Sequence, residues 1–393
     1  MRNIFFYLTI VLLLASCGNS GNGELIGVQD RPRFYQPDPY GTLFIPLGSY
    51  TMGAGDQDIF YANVYQSKTV TVSSFYMDET EITNNEYRQF VNWVKDSIAH
   101  NLLGEGGVAD HLIDQDENGE PIDPPMIDWD TDIEWDAPEN KEFLEDMYLP
   151  EHERFYRRKQ IDTRKLNFVY YWIDLQAAAQ KDYAQPGNAE AGSLINRPQG
   201  LKDRSVYIRK EVINVYPDTL CWIHDFTYSF NEPMTKSYFW HPVYDHYPVV
   251  GVSWKQAKAF CVWRTNLMNG FLENNDEPWV NDFRLPNETE WEWAARGGAS
   301  LSPFPWGGPY IRNSNGCFLG NYKPLRGNYT DDGGPQTLIV GHYAPNDFGL
   351  YDMAGNVGEW CADAFDESAY NFAHDLNMYY NYDAKENDLP VLK

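Results

Sequence analysis

Cysteine, basic residues and long apolar runs are scarce in this sequence of 393 residues. Lys and Arg number 30 against 57 Asp and Glu, so the formal net charge is −27. This shortage of positive charge argues against a nucleic-acid-binding protein, which needs a basic face to neutralise phosphates. The one sustained apolar stretch, residues 4–14, is too short to cross a bilayer, which excludes a protein with several membrane spans. The 5 cysteines contain no C-x-x-C pair, so nothing argues for a zinc site or a disulfide-stapled scaffold.

Aromatic residues, by contrast, are plentiful. Trp, Tyr and Phe make up 16% of the chain, a richness that disordered proteins lack. A chain of this length can bury a sizeable core, and we expect one large domain with insertions or two domains.

The beginning of the chain has the pattern of a bacterial lipoprotein signal. A short polar start precedes the apolar residues 4–14, and small residues then lead to Cys17. This run resembles a lipobox, which implies that residues 1–16 are a cleaved signal peptide and that Cys17 is lipidated. Residues 17–42 would then form a tether and linker, and Gly18, in place of Asp, favours the outer membrane. The alternative is an ordinary signal peptide that a cysteine happens to follow.

Local patterns predict short strands at residues 43–46, 48–53 and 69–72. Three capping boxes, each with Thr, Ser or Asn followed three residues later by Glu or Gln, predict helix starts. The predicted helices run from Thr83 to about Lys95, from Ser253 through Arg264, and from Asn287 to Arg296. Elsewhere, residues 166–181 look like a charged helix and residues 216–228 like aromatic strands.

Residues 105–146 are the most acidic part of the chain, with 16 Asp and Glu against one Lys, a local charge of −15. Residues 114–120 copy the first half of a calcium-binding loop, but Pro125 stands where the loop needs a bidentate Glu. The segment is therefore predicted to be a solvated insert, with a weak calcium site as the alternative. It is also a candidate surface for a basic partner.

Several ordered motifs resemble the sulfatase-modifying-factor, or formylglycine-generating enzyme, superfamily. They occupy residues 48–53, 75–87, 247–254, 284–286, 290–298, 305–307 and 349–360, the last reading GLYDMAGNVGEW. The resemblance implies an α+β, C-type-lectin-like fold with little regular secondary structure over residues 43–393. It also implies an acidic insert at about 99–150 and a family-specific insert at about 151–237. The sequence ends before a late motif of the superfamily, so we expect the C-terminal part of the fold to be missing from a truncated chain.

A narrower resemblance is to a family of gliding-motility lipoproteins called GldK, or PorK in non-gliding Bacteroidetes. It is carried by the lipobox and by residues 23–29, 174–179, 216–219, 231–234 and 326–329. It implies a structural subunit of the type IX secretion ring on the periplasmic face of the outer membrane. The implied partners are a GldN/PorN-type periplasmic protein and further copies of the chain itself.

The resemblance predicts no enzyme activity and no copper. The superfamily's enzymes hold Cu(I) with a late pair of cysteines, which this sequence lacks; its closest cysteines after Cys17, Cys221 and Cys261, are 40 residues apart. The alternatives are a formylglycine-generating oxidase acting on sulfatases, or a glycan- or peptidoglycan-binding lipoprotein.

Calcium is the cofactor that the resemblance does imply, with a structural role. Side chains of Asp352 and Glu359 and the carbonyls of Gly355 and Val357 match the superfamily's first ion site. A second, less regular match uses the side chains of Asn321 and Asp332 and the carbonyls of Tyr322 and Gly334. Such hard oxygen donors on a turn-rich segment suit Ca²⁺. The alternative is that Asp352 caps a turn and Glu359 forms an ordinary ion pair.

Overall fold

The computed structural model describes residues 37–53, 67–108, 110–116, 118–175, 204–229, 231–322, 327–366, 368–380 and 390–392. The predicted signal peptide, the predicted lipidation site Cys17 and most of the predicted tether lie outside these described residues. Within them, no helix is long and apolar enough to cross a membrane.

The regular secondary structure consists of short strands in antiparallel pairs and a few helices. The strands are β1 (Thr42–Ile45), β2 (Gly48–Met52), β3 (Lys68–Val72), β4 (Phe75–Asp78), β5 (Leu112–Gln115), β6 (Pro121–Ile127), β7 (Asn167–Ile173), β8 (Ile208–Asn214), β9 (Trp360–Ala364) and β10 (Pro390–Leu392). The helices are α1 (Asn84–Glu105), α2 (Lys141–Leu144), α3 (Pro233–Ser237), α4 (Trp254–Asn274), α5 (Glu288–Arg296) and α6 (Ala369–Phe372). The strands pair as β1–β4, β2–β3, β5–β6, β7–β8 and β9–β10. This confirms the predicted α+β fold with modest regular structure.

Helix α1 begins where its capping box predicts but is longer than predicted. The Glu86 amide donates to the Thr83 hydroxyl at 3.3 Å, and Glu86 accepts from the Thr83 amide at 2.8 Å. The predicted end near Lys95 is wrong, because the helix continues to Glu105. The added turns bury Leu103 in a small cluster with residues of the insert, so tertiary packing extends the helix.

Helices α4 and α5 also begin at their predicted capping boxes. Ser253 and Gln256 form the box of α4, and Asn287 and Glu290 form that of α5. Helix α5 ends, as predicted, at Gly297, whose φ of 58° is left-handed. Helix α4 continues past Arg264 and ends at Asn274.

Two large apolar clusters hold these elements together. The first joins β1, β2 and β3 to α5; it includes Ile45, Met52, Val70, Ala294 and Leu350. The second joins α1, α4 and β7; it includes Tyr87, Phe90, Phe168, Phe260 and Trp263. Because Phe168 lies in the second cluster, the family-specific insert contributes to the core of the domain.

Two local predictions in that insert are wrong. Residues 167–173 form strand β7, in which Phe168 and Tyr170 are buried while Val169 and Tyr171 are exposed. This two-residue alternation outweighs the charged residues that suggested a helix; residues 176–181 lie outside the described residues. The predicted aromatic strands at 216–228 are instead turns with a short 3₁₀ segment at Cys221–Ile223, because Trp222 packs inward on Met234 and Tyr238.

Candidate metal centre

The predicted calcium ligands lie in a turn-rich segment after α5. Its two halves meet where Gly355 approaches Asn321: a Cβ at position 355 would lie 2.3 Å from the Asn321 carbonyl oxygen. Gly355 has a φ of +96°, and the next amide, of Asn356, donates to that carbonyl at 3.0 Å. Only glycine fits this contact, which brings the first and second predicted ligand sets together.

Asn356, a residue to which the sequence gave no role, joins three segments of the site. Its Oδ1 accepts from Asn321 Nδ2 at 3.0 Å and from the Leu338 amide at 2.8 Å. Its Nδ2 donates to Glu81 Oε2 at 2.6 Å. All three partners precede it in the chain and come from separate segments, so Asn356 positions the loop that carries the predicted ligands.

Glu81 is a buried carboxylate that sequence reasoning missed. Burial raises its pKa to about 9, with the negative charges of Glu359 and Asp352 as the next causes. Glu81 also accepts from the Val357 amide at 3.3 Å. Glu81 lies inside the 75–87 motif, which was the only sequence signal for it.

Asp352 and Glu359 each use one oxygen to hold the fold. Asp352 Oδ2 accepts from the Gly341 amide at 2.6 Å, and Glu359 Oε2 accepts from Trp291 Nε1 at 2.6 Å. Burial raises the pKa of Asp352 and brings that of Glu359 to about 7. Within the described part of the chain, the second oxygen of each receives no hydrogen bond, and neither residue forms an ion pair with Lys or Arg.

Asp332, the acidic residue of the second predicted set, is almost fully buried at 2% exposure. Neither carboxylate oxygen has a hydrogen-bond partner among the described residues, an arrangement that is costly for a buried charged group. Tyr343 donates to the main-chain oxygen of Asp332. Burial, followed by the charges of Asp332 and Asp352, raises the pKa of Tyr343.

The remaining predicted ligands line the same region. Gly334 packs against Leu338, whose Cδ2 would lie 2.7 Å from a Cβ at position 334. Tyr322 follows Asn321 and has a buried hydroxyl with no partner among the described residues. Asn321 Nδ2 donates to the Gln336 carbonyl at 2.8 Å, which leaves its Oδ1 as the oxygen that a cation would use.

The donor chemistry of this region fits a hard cation. Its donors are carboxylate, amide and carbonyl oxygens, which are the ligands that Ca²⁺ takes. In the parts of the chain that the structure describes, no three His, Cys, Asp or Glu side chains converge to hold a metal ion by themselves. A bound Ca²⁺ would therefore be completed by main-chain oxygens such as the predicted carbonyls of Gly355 and Val357.

The four cysteines after Cys17 are not among the predicted ligands of this centre. Cys221 and Cys317 are exposed, Cys261 is partly buried and Cys361 is buried. Burial raises the pKa of the Cys261 thiol to about 12 and also raises that of Cys221. A raised pKa disfavours the thiolate, which is the form that binds copper or attacks a substrate.

The chain can now be compared with known proteins. The family described as sulfatase-modifying factor enzyme 1-like domain (FGE-sulfatase) matches residues 29–389. Inactive C-alpha-formylglycine-generating enzyme 2 from Bos taurus is 38% identical over 120 residues, 30% of this chain and 34% of that protein. The formylglycine-generating enzyme of Thermomonospora curvata is 39% identical over 121 residues, again 30% of this chain and 34% of that protein.

The formylglycine-generating enzyme of Mus musculus aligns over a longer region. It is 23% identical over 322 residues, which cover 81% of this chain and 57% of the mouse protein. The chain thus spans about a third to somewhat over half of the length of these relatives. Since the family match covers most of the sequence and agrees with the α+β architecture, this chain belongs to the sulfatase-modifying factor enzyme 1-like family.

Proposed function

We propose that the chain is a non-catalytic structural lipoprotein of the type IX secretion and gliding-motility machinery, a GldK- or PorK-like ring subunit. Acylated Cys17 would anchor it at the periplasmic face of the outer membrane. Its partners would be a GldN/PorN-type protein and further copies of itself.

The observation that carries this proposal is the outer face of the β7–β8 hairpin in the family-specific insert. Opposite the buried Phe168 and Tyr170, this face exposes large apolar side chains on both strands. They are Val169, Tyr171 and Ile173 on β7, and Ile208 and Val212 on β8. Neighbouring exposed apolar side chains of this kind mark protein interaction sites, so the insert supports a role in assembly.

The absence of catalysis is supported by chemistry and by the family. Burial raises the pKa of the Cys261 thiol, which disfavours the thiolate that Cu(I) binding and nucleophilic attack need. Relatives named as inactive occur within the same family, so the fold alone does not bring activity with it. Calcium would then serve stability: Asp352, Glu359, Asn321 and Asp332 would hold the ions that fix the turn-rich segment.

The test is capture of the GldN/PorN-type partner by the full-length lipidated protein. We expect the wild type to retain the partner, and Tyr171→Ser with Val212→Ser to lose most of the binding. The matched control is Leu267→Ser with Phe271→Ser, which removes two exposed apolar side chains from α4 and should bind normally. Failure of the wild type to bind the partner would refute the proposed ring role.

A second candidate function, formylglycine formation, is favoured by the names of relatives such as the enzymes of Thermomonospora curvata and Mus musculus. An assay that adds copper and a sulfatase-derived cysteine peptide separates the two candidates. We expect no aldehyde product, and turnover that disappears on mutation of a cysteine would support the enzyme instead.

A further inference from the structure

A loop in the family-specific insert presents two aromatic and two basic side chains to solvent. Its base is closed by a bridge between Tyr148 and Ile161 and by a hydrogen bond from the Leu149 amide to the Gln160 carbonyl at 2.9 Å. At its tip Phe155 and Tyr156 are 69% and 81% exposed, with ring centroids 4.3 Å apart. Residues 155–158 are called the aromatic–arginine loop below.

The loop and its stem carry four basic side chains in two different environments. Arg154 and Lys159 each contact Glu145 at 2.5 Å, and this double contact lowers the pKa of Glu145 to about 2. Arg157 and Arg158 are exposed and form no ion pair within the described residues. The first pair thus fixes the stem of the loop, while the second pair is available for an external carboxylate.

The backbone at the tip is held in an unfavourable conformation. Tyr156 and Arg157 have φ values of 49° and 57°, a left-handed region that side chains other than glycine rarely adopt. In this backbone conformation the two aromatic rings and the two arginines of the loop remain exposed to solvent. Tyr, Phe and Arg are also the residue types that dominate binding energy at protein interfaces.

A complementary surface lies on the β5–β6 hairpin of the same chain, called the acidic hairpin below. Ile113 and Met126 are partners across its strands and are 41% and 59% exposed. The same hairpin carries exposed carboxylates, namely Asp114, Asp116, Glu120 and Asp123. Among the described residues of 105–146, only Glu145 and Asp146 form ion pairs, so the hairpin carboxylates have no basic partner within the part of the chain that the structure describes.

We propose that the aromatic–arginine loop of one copy docks on the acidic hairpin of a second copy. Phe155 and Tyr156 would cover the Ile113–Met126 pair, and Arg157 and Arg158 would pair with the surrounding carboxylates. Charge complementarity selects this occupant, because each surface carries unpaired charge of the sign that the other lacks. Among the described residues of a single copy, no hydrogen bond or ion pair joins the loop to the hairpin.

The symmetry of this contact matters because it uses two different surfaces of the same chain. A contact between different surfaces is heterologous, and it closes into a ring or continues as a filament rather than stopping at a dimer. The inference thus deepens the proposed ring function and rests on it, by naming the contact between neighbouring subunits.

The experiment measures self-association of the full-length protein by analytical ultracentrifugation. One variant reverses the loop (Arg157→Glu with Arg158→Glu), and the other reverses the hairpin (Asp114→Lys with Asp123→Lys). We expect each to weaken self-association about tenfold or more, and high salt to weaken that of the wild type. The charge-matched control, Lys236→Glu with Lys255→Glu, alters exposed lysines outside both surfaces and should associate as the wild type does.

Mixing the two variants tests the head-to-tail arrangement directly. The loop variant keeps its wild-type hairpin and the hairpin variant keeps its wild-type loop, while the reversed loop and the reversed hairpin carry opposite charges. Mixing should therefore restore the association that each variant alone has lost. Thermal melting of each variant alone verifies that it is folded. Loop and hairpin variants that associate like the wild type, or a wild type that stays monomeric, would overturn the inference. Partner capture persisting in that case would leave the ring role standing, whereas its loss would remove both.

Discussion

Two groups of carboxylates in this protein differ in almost every physical respect. Glu81, Asp352 and Glu359 are largely shielded from water in the candidate metal centre, and the pKa of each is raised. The acidic residues of the β5–β6 hairpin are exposed, and hydrogen bonds from turn amides lower the pKa of Asp116. Burial therefore opposes the charged form in the first group, while water and local donors stabilise it in the second.

The difference shows that net charge is a poor guide to where chemistry occurs. Residues 105–146 carry −15 of the total of −27, yet their carboxylates are mostly solvated and cost the fold little. The few buried carboxylates carry far less charge but need a proton or a cation. Calcium removal, replacement of Asp332, titration of the buried histidine pair and neutralisation of the hairpin carboxylates each test this contrast.

Calcium removal should have the largest effect. We expect EDTA to lower the free energy of unfolding, by about 2.7 kcal/mol if Ca²⁺ is first present at about 100 times its dissociation constant. In the Glu359→Gln variant EDTA should have little further effect, because the substitution has already removed a charged ligand. Calorimetric melting with and without Ca²⁺ measures the effect, with Glu273→Gln on the exposed side of α4 as the control. An unchanged melting temperature in EDTA would remove both predicted ion sites.

Replacement of Asp332 should affect the stability of the protein differently in the presence and in the absence of Ca²⁺. In the presence of Ca²⁺, Asp332→Leu should destabilise the protein by about 1–3 kcal/mol, because a ligand is lost. In EDTA the same change should be neutral or stabilising, because it removes a buried carboxylate with no hydrogen-bond partner among the described residues. Urea unfolding in both conditions provides the measurement, and the same destabilisation in both would argue for a purely structural Asp332.

A buried histidine pair should give a smaller, pH-dependent effect at the junction of α1 and the acidic insert. His100 and His111 have Nδ1 atoms 3.0 Å apart, and burial, followed by the charge of His111, lowers the pKa of His100 despite Asp96 and Asp128. The folded pKa thus lies below the unfolded value of about 6.5. Its contribution to stability is complete above that pH and declines as the pH falls toward the lowered pKa.

Unfolding measured between neutral and mildly acidic pH tests this dependence. His100→Asn should flatten the decline, whereas His224→Gln, at a fully exposed site, should leave it unchanged. A decline of equal size in both variants would assign the pH effect to other groups.

The smallest effect is expected on the acidic hairpin. Asp114→Asn with Asp123→Asn should change the free energy of unfolding by no more than about 0.5 kcal/mol, because both carboxylates are exposed. Urea unfolding under conditions where the protein is monomeric gives this value. A clear loss of stability would mean that the hairpin carboxylates have a role inside the fold.

The sequence predicted the starts of the three capped helices because a capping box lies within four residues. It also predicted the first strands and the turn-rich character of the segment that holds Asp352 and Glu359. It failed at the far end of α1 and at β7, where packing of Leu103 and Phe168 against distant residues decides the conformation. It also missed Glu81 and Asn356, whose contact spans 275 residues.

Local order and residue type are sufficient to predict the family, the caps, the location of the acidity and the candidate ligands. Which carboxylates lie together away from water, and which remain solvated, follows from the tertiary fold, because burial and electrostatic coupling depend on contacts between distant segments. Such contacts leave the carboxylate of Asp332 without a hydrogen-bond partner among the described residues and Arg157 exposed at the tip of its loop.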